Sequence, residues 1–265
     1  MKIRPATVDD VPAVARIVLS ALADEAPWKA FLPRMTQADA VHIEYCEAIL
    51  RSYLEPANKN SWLVLVVEIS ATEAKVHSGP IVVSVAVWDT SAGLGQGLGA
   101  GQSNGASCQS DQDSDQNTLL TGSCEAVAAV NAQPNRQLDD KAPAKLAALF
   151  QATVDGRRRH FSNHIPYVFL HLLATRPDYQ RKGYGKALCT SGINLARQKH
   201  ASVCVQTASR GYILFSGLGF VDEGPVALPA ESEAEDVLIK AMVLDSQLIQ
   251  RRGSLFDSLM RYFTG

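Results

Sequence analysis

The chain has 265 residues, 46% of them hydrophobic, so it can bury a full core as one large domain or two small ones. A formal net charge of −2 gives no electrostatic basis for binding nucleic acid, whose protein partners usually present a basic face. The five cysteines are widely spaced and form no metal or C-x-x-C pattern, which favours a reduced, intracellular setting. Residues 1–5 lack the apolar run of a secretory signal, and no apolar run is long enough to span a bilayer. We therefore expect a cytoplasmic protein with no membrane partner.

The first ninety residues predict two helices and three strands, of which the last two form a hairpin-like pair. The first helix begins with a Thr-Val-Asp-Asp segment that is typical of a helix start. Between the two helices, Trp28 and Phe31 either pack their loop onto the core or contact a substrate, and the sequence favours neither. The five elements are predicted at residues 2–5, 7–22, 37–54, 62–69 and 81–88.

The composition changes from about residue 90 to about residue 140, where Gly, Ser, Gln, Asn and Asp dominate. Such a segment cannot bury enough apolar area to offset its ordering entropy, roughly 1–2 kcal/mol per residue for the backbone, so we predict a disordered insert. Helical spacing returns at residues 141–151. The following run Arg157-Arg158-Arg159 is typical of a solvated surface or a phosphate neighbour on a chain of this charge, rather than of a nucleic-acid site.

The segment from Tyr167 to Lys199 has the clearest pattern in the chain. Residues 167–175 are rich in apolar β-formers and predict a buried strand, and Pro177 ends it. A tight loop over 180–185 then opens onto a helix predicted over 186–199. Unpaired N–H groups at such a helix start, with two glycines that permit close approach, predict binding of a phosphate or pyrophosphate. The nearby cations are Arg181, Lys182 and Lys186.

Two common phosphate-binding loops are excluded by spacing. A P-loop requires Gly-Lys followed by Ser or Thr, with a Gly five positions before the second Gly, but Ala187 follows Lys186 and Gln180 occupies the earlier position. A dinucleotide fingerprint requires Gly or Ala three residues after its second Gly, where this chain has Leu188.

The remaining residues predict three further strands, a short helix and an end helix. The last, Ser254–Phe263, is amphipathic and either packs on the body of the protein or contacts a membrane or partner, the first being favoured. The other predictions are a strand at 201–207, a short helix at 212–217, a turn into a strand at 218–220 and a final strand at 236–244.

The loop Gln180-Arg181-Lys182-Gly183-Tyr184-Gly185 resembles the acyl-CoA loop of the GNAT N-acetyltransferases, Q/R-x-x-G-x-G/A between a strand and a helix. The resemblance extends upstream to LHLLAT at residues 170–175 and downstream to GYILFSGLGF at residues 211–220, which is similar to the family's G-x-x-L-Y-x-x-x-G-F. It implies an α/β fold with a mixed, mostly antiparallel central sheet of about six to seven strands flanked by helices. It also implies a single domain over residues 1–265, with the insert between strands 3 and 4.

The resemblance further implies acetyl-CoA as co-substrate and no metal. In the family, the backbone of the central strand pairs with the pantetheine amides, and a bulge on that strand frees the groups that do so. The residues implied to contact acetyl-CoA are Leu173, Ala174, Thr175, Gln180, Arg181, Lys182, Gly183, Tyr184, Gly185, Lys186, Ser209, Tyr212 and Phe215.

Acetyl transfer to an amine requires a proton acceptor for the amine, and strand alternation singles out one candidate. His171 is predicted to share a face with Tyr167, Phe169, Leu173 and Thr175, because successive residues of a strand point to opposite faces. Its L-H-x-L-A context resembles that of the arylalkylamine N-acetyltransferases, which implies a place in the proton path. The alternative is a core histidine with satisfied hydrogen bonds.

At the position of the residue that protonates the leaving CoA thiolate, this chain differs from the family pattern. The family's tyrosine corresponds to Phe215, which has no proton to give, so Tyr212 is the predicted substitute, with serines or water as weaker ones. Cys189 and Cys204 are predicted to lie in the core, so no covalent intermediate is expected.

We therefore expect an N-acetyltransferase that moves an acetyl group from acetyl-CoA to a primary amine by direct attack in a ternary complex, with a small molecule as the favoured acceptor. A protein lysine or N-terminal acetyltransferase is the first alternative. The second is a GNAT-fold acyl-CoA-binding protein with impaired catalysis, which Phe215 suggests. The oligomeric state, monomer or homodimer, stays open.

Overall fold

A seven-stranded sheet organises the chain, in the order β1-β2-β3-β4-β5-β7-β6. The computed structural model describes residues 1–23, 25, 40–74, 79–91, 142–227 and 238–250, without the side chains of Val41 and residues 142–150. Neighbouring strands are antiparallel except for the β4–β5 pair, which is parallel. The predicted mixed, mostly antiparallel sheet is confirmed.

The helices and strands follow the predicted order. The strands are β1 (Lys2–Pro5), β2 (Trp62–Ile69), β3 (Ile81–Asp89), β4 (Tyr167–Thr175), β5 (Ser202–Thr207), β6 (Val221–Ala227) and β7 (Leu238–Leu244). The helices are α1 (Val11–Leu22), α2 (Ala40–Leu54), the single turn α3 (Ala71–Ala74), α4 (Ala142–Phe161), α5 (Tyr184–Gln198) and α6 (Ser209–Leu218). Most of the predicted insert, and the whole predicted end helix 254–263, lie outside the described residues.

The two faces of the sheet bury separate apolar clusters. On one face, α1 and α2 cover Val64, Val66, Val85 and Val87 of the strands, because the buried apolar residues of α1 recur at helical spacing. On the opposite face, α5 and α6 cover a cluster centred on Trp88, which is fully buried. Helix α4 ends at Phe161, which packs on Tyr167 and Phe169 of β4.

A bulge in β4 lies at His171. Residue Trp88 of β3 pairs with Leu170, and the preceding residue, Val87, pairs with Leu172, so His171 is the extra residue of β4. The predicted bulge is confirmed, but the predicted alternation through it is wrong. Leu172 joins the cluster under α1 and α2, and Leu173 packs in the cluster under α5 and α6, because the extra residue reverses the faces of everything that follows it.

Beyond the bulge, β4 separates from β5. The parallel pairing runs from Tyr167 with Ser202 to Leu170 with Val205 and stops there, whereas β4 continues to Thr175 in pairing with β3. A gap therefore opens between the second half of β4 and the end of β5, and α5 begins beside it.

Candidate active site

The loop before α5 has the backbone of an anion-binding site. Arg181 and Gly183 both have positive φ, 63° and 87°, and Gly183 is the N-cap of α5. The first intrahelical bond runs from the Ala187 N–H to the Gly183 carbonyl at 2.9 Å, so the N–H groups of the three preceding residues have no acceptor within the helix. The side chains of Arg181, Lys182 and Lys186 are exposed around this helix start. Loop and cations together present a positively polarised surface suited to a phosphate.

The two glycines of this loop have different surroundings. Nothing lies within 4 Å of the position that a Cβ would take on Gly183. A Cβ on Gly185 would lie 3.7 Å from Leu173 Cδ2 and from Thr175 Oγ1, and 3.9 Å from Leu214 Cδ2 of α6. Gly185 therefore borders the space between β4 and α6, and its lack of a side chain leaves this space open.

The free edge of β4 supplies backbone groups to the same gap. The Arg176 N–H donates to the Val83 carbonyl of β3 at 2.9 Å, and backbone polar groups alternate sides along a strand. The groups of Ala174 therefore face β3, and those of Leu173 and Thr175 face the gap. The Gln180 side chain donates to the Thr175 carbonyl at 3.1 Å, which fixes the loop to the strand end.

His171 lies beside this gap, on the side of the sheet that carries α2 and α4. Its Nε2 is 3.0 Å from the Tyr53 hydroxyl, and its Nδ1 is 3.4 Å from Nη2 of Arg157. The ring lies edge-on to Trp62, with 5.3 Å between centroids, and remains exposed to solvent. Burial among these groups, and the neighbouring Arg157 cation, lower the pKa of His171 below its ordinary value. The exposed edge of the ring reduces the effect of burial on this pKa, but the ring is neutral at pH 7.

Arg157 was predicted as part of a solvated basic run, and its guanidinium is instead turned inward. It contacts the Asp89 carboxylate at 3.3 Å and lies 3.5 Å from the centroid of the Phe169 ring. Its side chain is only 18% exposed. The available signal was helical spacing, because Arg157 lies one turn before the fully buried Phe161. Tyr53 carries no comparable signal, since it lies 118 residues from His171 in the chain.

The predicted residues of α6 divide between surface and core. Ser209 is exposed at the first position of the helix, next to the end of β5. Phe215 is 3% exposed and packs on Phe220, with 5.2 Å between ring centroids. The N–H of Gly224 and the ammonium of Lys240 lower the pKa of the Asp222 carboxylate, and the Tyr212 hydroxyl contributes less to the same effect.

Other predicted features lie in the core or outside the described residues. Cys189 and Cys204 are buried, and burial raises the pKa of Cys189 to about 12, so its thiol is a poor nucleophile. Trp28 and Phe31 belong to the part of the chain that is not described. Within the described ranges, no three His, Cys, Asp or Glu side chains are grouped so as to hold a metal. No helix there has both the length and the apolar character that crossing a bilayer requires.

Comparison with known proteins identifies the same segment. Residues 138–219 match the model of the acetyltransferase (GNAT) family. No curated protein matches the chain in sequence.

Several solved structures share the fold. One is described as histone acetyltransferase HPA2 and related acetyltransferase from Corynebacterium glutamicum, with 17% identity, a TM-score of 0.51 and coverage of 92% of this chain and 95% of that one. Polyamine N-acetyltransferase from Drosophila melanogaster has 12% identity and a TM-score of 0.51 over 92% and 99% of the two chains. Mosquito arylalkylamine N-acetyltransferase like 5b has 16% identity and a TM-score of 0.50 over 92% and 98%.

The matched segment contains β4, the glycine loop, α5, β5 and α6, which are the elements that enclose the gap. The strands and helices before and after it complete the same fold. The chain therefore shares the fold of these solved acetyltransferase structures, and its residues 138–219 match the acetyltransferase (GNAT) family.

Proposed function

We propose that this protein transfers the acetyl group of acetyl-CoA to the primary amine of a small molecule, by direct attack in a ternary complex. One observation carries the proposal: the β4–β5 pairing stops at Leu170, next to a helix start with free N–H groups. Among the described residues, the gap offers the edge of β4 that β5 leaves unpaired beyond Leu170 to the pantetheine amides, and the loop offers the N-terminus of α5 to the pyrophosphate.

The chemistry follows from what the cleft contains. The amine nitrogen attacks the thioester carbon, and collapse of the tetrahedral intermediate releases the CoA thiolate while the amide forms. Holding both reactants in one cleft can supply about 7–11 kcal/mol of the barrier reduction, so a covalent enzyme intermediate is unnecessary. We propose that His171, neutral and exposed to the cleft, accepts the amine proton directly or through water, and that Tyr212 gives a proton to the thiolate.

A small amine is the favoured acceptor because aromatic rings pack beside His171. Tyr53 and Trp62 pack against one another, with 4.4 Å between centroids, and both approach His171 edge-on. Aromatic surroundings of this kind suit a compact apolar amine better than an extended peptide. Two proteins of the same fold bear the names of enzymes for small amines, a polyamine N-acetyltransferase and an arylalkylamine N-acetyltransferase-like protein.

The test measures binding and turnover separately. Titration calorimetry with CoA and acetyl-CoA reports binding, and thiol release over a panel of small amines, peptides with a free N-terminus and lysine peptides reports transfer. We expect binding of both CoA species and turnover with one or more small amines. Turnover confined to the peptides would instead identify a protein acetyltransferase.

A matched pair of variants tests whether CoA binds in this gap. Gly185→Leu places a side chain in the space between β4 and α6, and its Cβ makes only ordinary contacts, so the protein should fold. We expect its CoA Kd to rise at least tenfold, about 1.4 kcal/mol. Gly217→Leu is the control, because nothing lies within 4 Å of its Cβ position, and its Kd should not change. An unchanged Kd in Gly185→Leu would exclude this gap as the CoA site.

The second candidate is an acyl-CoA-binding protein without turnover. It is favoured by the burial of Phe215 at the position of the family's tyrosine. Thermal stabilisation by CoA, with no thiol release on any amine of the panel, would support it.

A further inference from the structure

Three groups hold the guanidinium of Arg157 at the cleft. Asp89 of β3 accepts from Nη1 at 3.3 Å, the Phe169 ring lies under the guanidinium carbon at 3.5 Å, and Nη2 points at His171 Nδ1 at 3.4 Å. Asp89 is itself held, since its Oδ1 accepts from both the N–H and the hydroxyl of Ser91. The Arg157 side chain therefore has a defined place, although α4 lies at the edge of the sheet.

This contact determines which nitrogen of His171 carries the proton. A guanidinium only donates hydrogen bonds and stays charged, so the nitrogen that faces it must present a lone pair. Nδ1 is therefore unprotonated, and the proton of the neutral ring is on Nε2, where it is donated to the Tyr53 hydroxyl at 3.0 Å. The opposite tautomer would direct the N–H of Nδ1 at the N–H of Arg157.

We propose that Arg157 is a positioning residue of the acceptor site, which keeps His171 neutral, with its proton on Nε2 and its ring fixed by Tyr53. The proposal rests on the proposed function for its catalytic consequence only. In this state the only lone pair of the ring is on Nδ1, so the amine proton goes to Nδ1 as the 3.4 Å contact with Arg157 opens. The ring stays neutral over a wider acidic range than a solvated histidine, although its driving force for taking a proton is smaller.

The other groups around His171 do not counteract the influence of Arg157 on its protonation. Within the described part of the chain, the charged groups at this point are Arg157 of α4 and, behind it, Asp89 of β3. Helix α2 contributes the phenol of Tyr53, and burial raises its pKa, so it stays protonated. Strand β2 contributes the uncharged indole of Trp62, and β4 contributes the Phe169 ring.

The test measures the tautomer and the titration of His171 directly. Nitrogen-15 NMR of the full-length protein labelled at histidine reports both the tautomer and the titration midpoint, and His171 is assigned by the loss of its signals in His171→Gln. In the wild type we expect the Nε2–H tautomer, with a midpoint well below the ordinary value of about 6.5. In Arg157→Met, which removes the charge and keeps an unbranched side chain, we expect the midpoint to rise, while burial, the larger cause of the lowering, remains. Arg159→Met, at an exposed position of the same helix, is the control and should match the wild type.

Activity gives a second readout. At a pH one unit below the midpoint that NMR gives for Arg157→Met, only about a tenth of His171 is neutral, so kcat/KM of this variant should fall about tenfold there relative to its own plateau. The control should keep most of its plateau value at that pH. Ionisation of the acceptor amine affects both variants equally, so their ratio isolates His171.

The outcomes separate this inference from the proposed function. A wild-type His171 protonated on Nδ1, or a midpoint that does not move in Arg157→Met, would overturn the role of Arg157. If Arg157→Met does not fold, Arg157→Gln removes the same charge and decides the question by the same midpoint. The NMR experiment contains no acetyl-CoA or amine, so failure of every amine in the panel would overturn the proposed function and leave this inference standing.

Discussion

At the scale of single residues, the two protons of amine acetylation meet different surroundings. On the acceptor side, His171 is neutral, exposed and fixed by contacts with Tyr53 and Arg157. On the thiolate side, Phe215 is buried, and the Tyr212 hydroxyl interacts with the Asp222 carboxylate. Tyr212 can protonate the thiolate only if its hydroxyl turns away from Asp222, because a phenol has one proton to donate.

Replacing Tyr212 tests this proposed donor. If its hydroxyl protonates the thiolate, Tyr212→Phe should lower kcat by about 10²-fold or more, the usual contribution of a general acid. Steady-state kcat at saturating acetyl-CoA measures this, because the remainder of the ring and its packing are kept.

Asp222→Asn is the matched control for the same hydrogen bond. It removes the carboxylate that holds the hydroxyl and leaves Tyr212 in place, so kcat should stay at the wild-type level or rise. If Tyr212→Phe keeps the wild-type kcat, water protonates the thiolate and Tyr212 is only a packing residue of α6.

At the scale of elements, α5 must approach the sheet closely for its N-terminus to reach the gap. Leu188, Gly192 and Ala196 recur at helical spacing on the inward face of this helix, and all three are buried. Gly192 lies against the indole of Trp88, where an added Cβ would overlap the ring. The close approach of α5 to the sheet therefore depends on Gly192 having no side chain.

Gly192→Ala should accordingly destabilise the protein. Overpacking of a filled core typically costs about 1–3 kcal/mol, and Trp88 is fully buried and cannot move aside. For a chain of this size the midpoint of thermal unfolding should fall by roughly 2–4 °C per kcal/mol.

Gly217→Ala provides the comparison in helix α6. Its Cβ would meet nothing within 4 Å, so it should keep or raise the midpoint, because alanine is favoured over glycine within a helix by about 0.5–1 kcal/mol. Equal midpoints for Gly192→Ala and the wild type would show that α5 can move away from the sheet.

The sequence predicted elements better than it predicted the contacts between them. The positions of most strands and helices and of the glycine loop followed from local patterns, because each is encoded in a short run of consecutive residues, and the bulge followed from resemblance. The surroundings of His171 were not predictable in this way, since Tyr53, Asp89 and Arg157 come from three separate elements. The face reversal after His171 was missed because alternation assumes an unbroken pleat.

At the scale of the whole molecule, the site is assembled from both sides of the predicted insert. Asp89 is the last residue of β3, before the insert, and Arg157 lies in the last two turns of α4, after it. Their ion pair, together with the packing of Phe161 on β4, ties α4 to the sheet independently of the chain that connects them.

Shortening the connection should therefore leave the fold and the site intact. Replacing residues 96–136 with a Gly/Ser linker of about ten residues keeps every described residue, and such a linker has an r.m.s. span of about 5–6 Å times the square root of its length. We expect the thermal midpoint, the CoA affinity and the titration of His171 to match the full-length protein. A deletion extended through Phe161 is the control, and it should destabilise the protein because it removes both Arg157 and a fully buried aromatic side chain. If the shorter replacement also unfolds the protein or abolishes CoA binding, the segment is a structural part of the domain, and the prediction of a disordered insert is wrong.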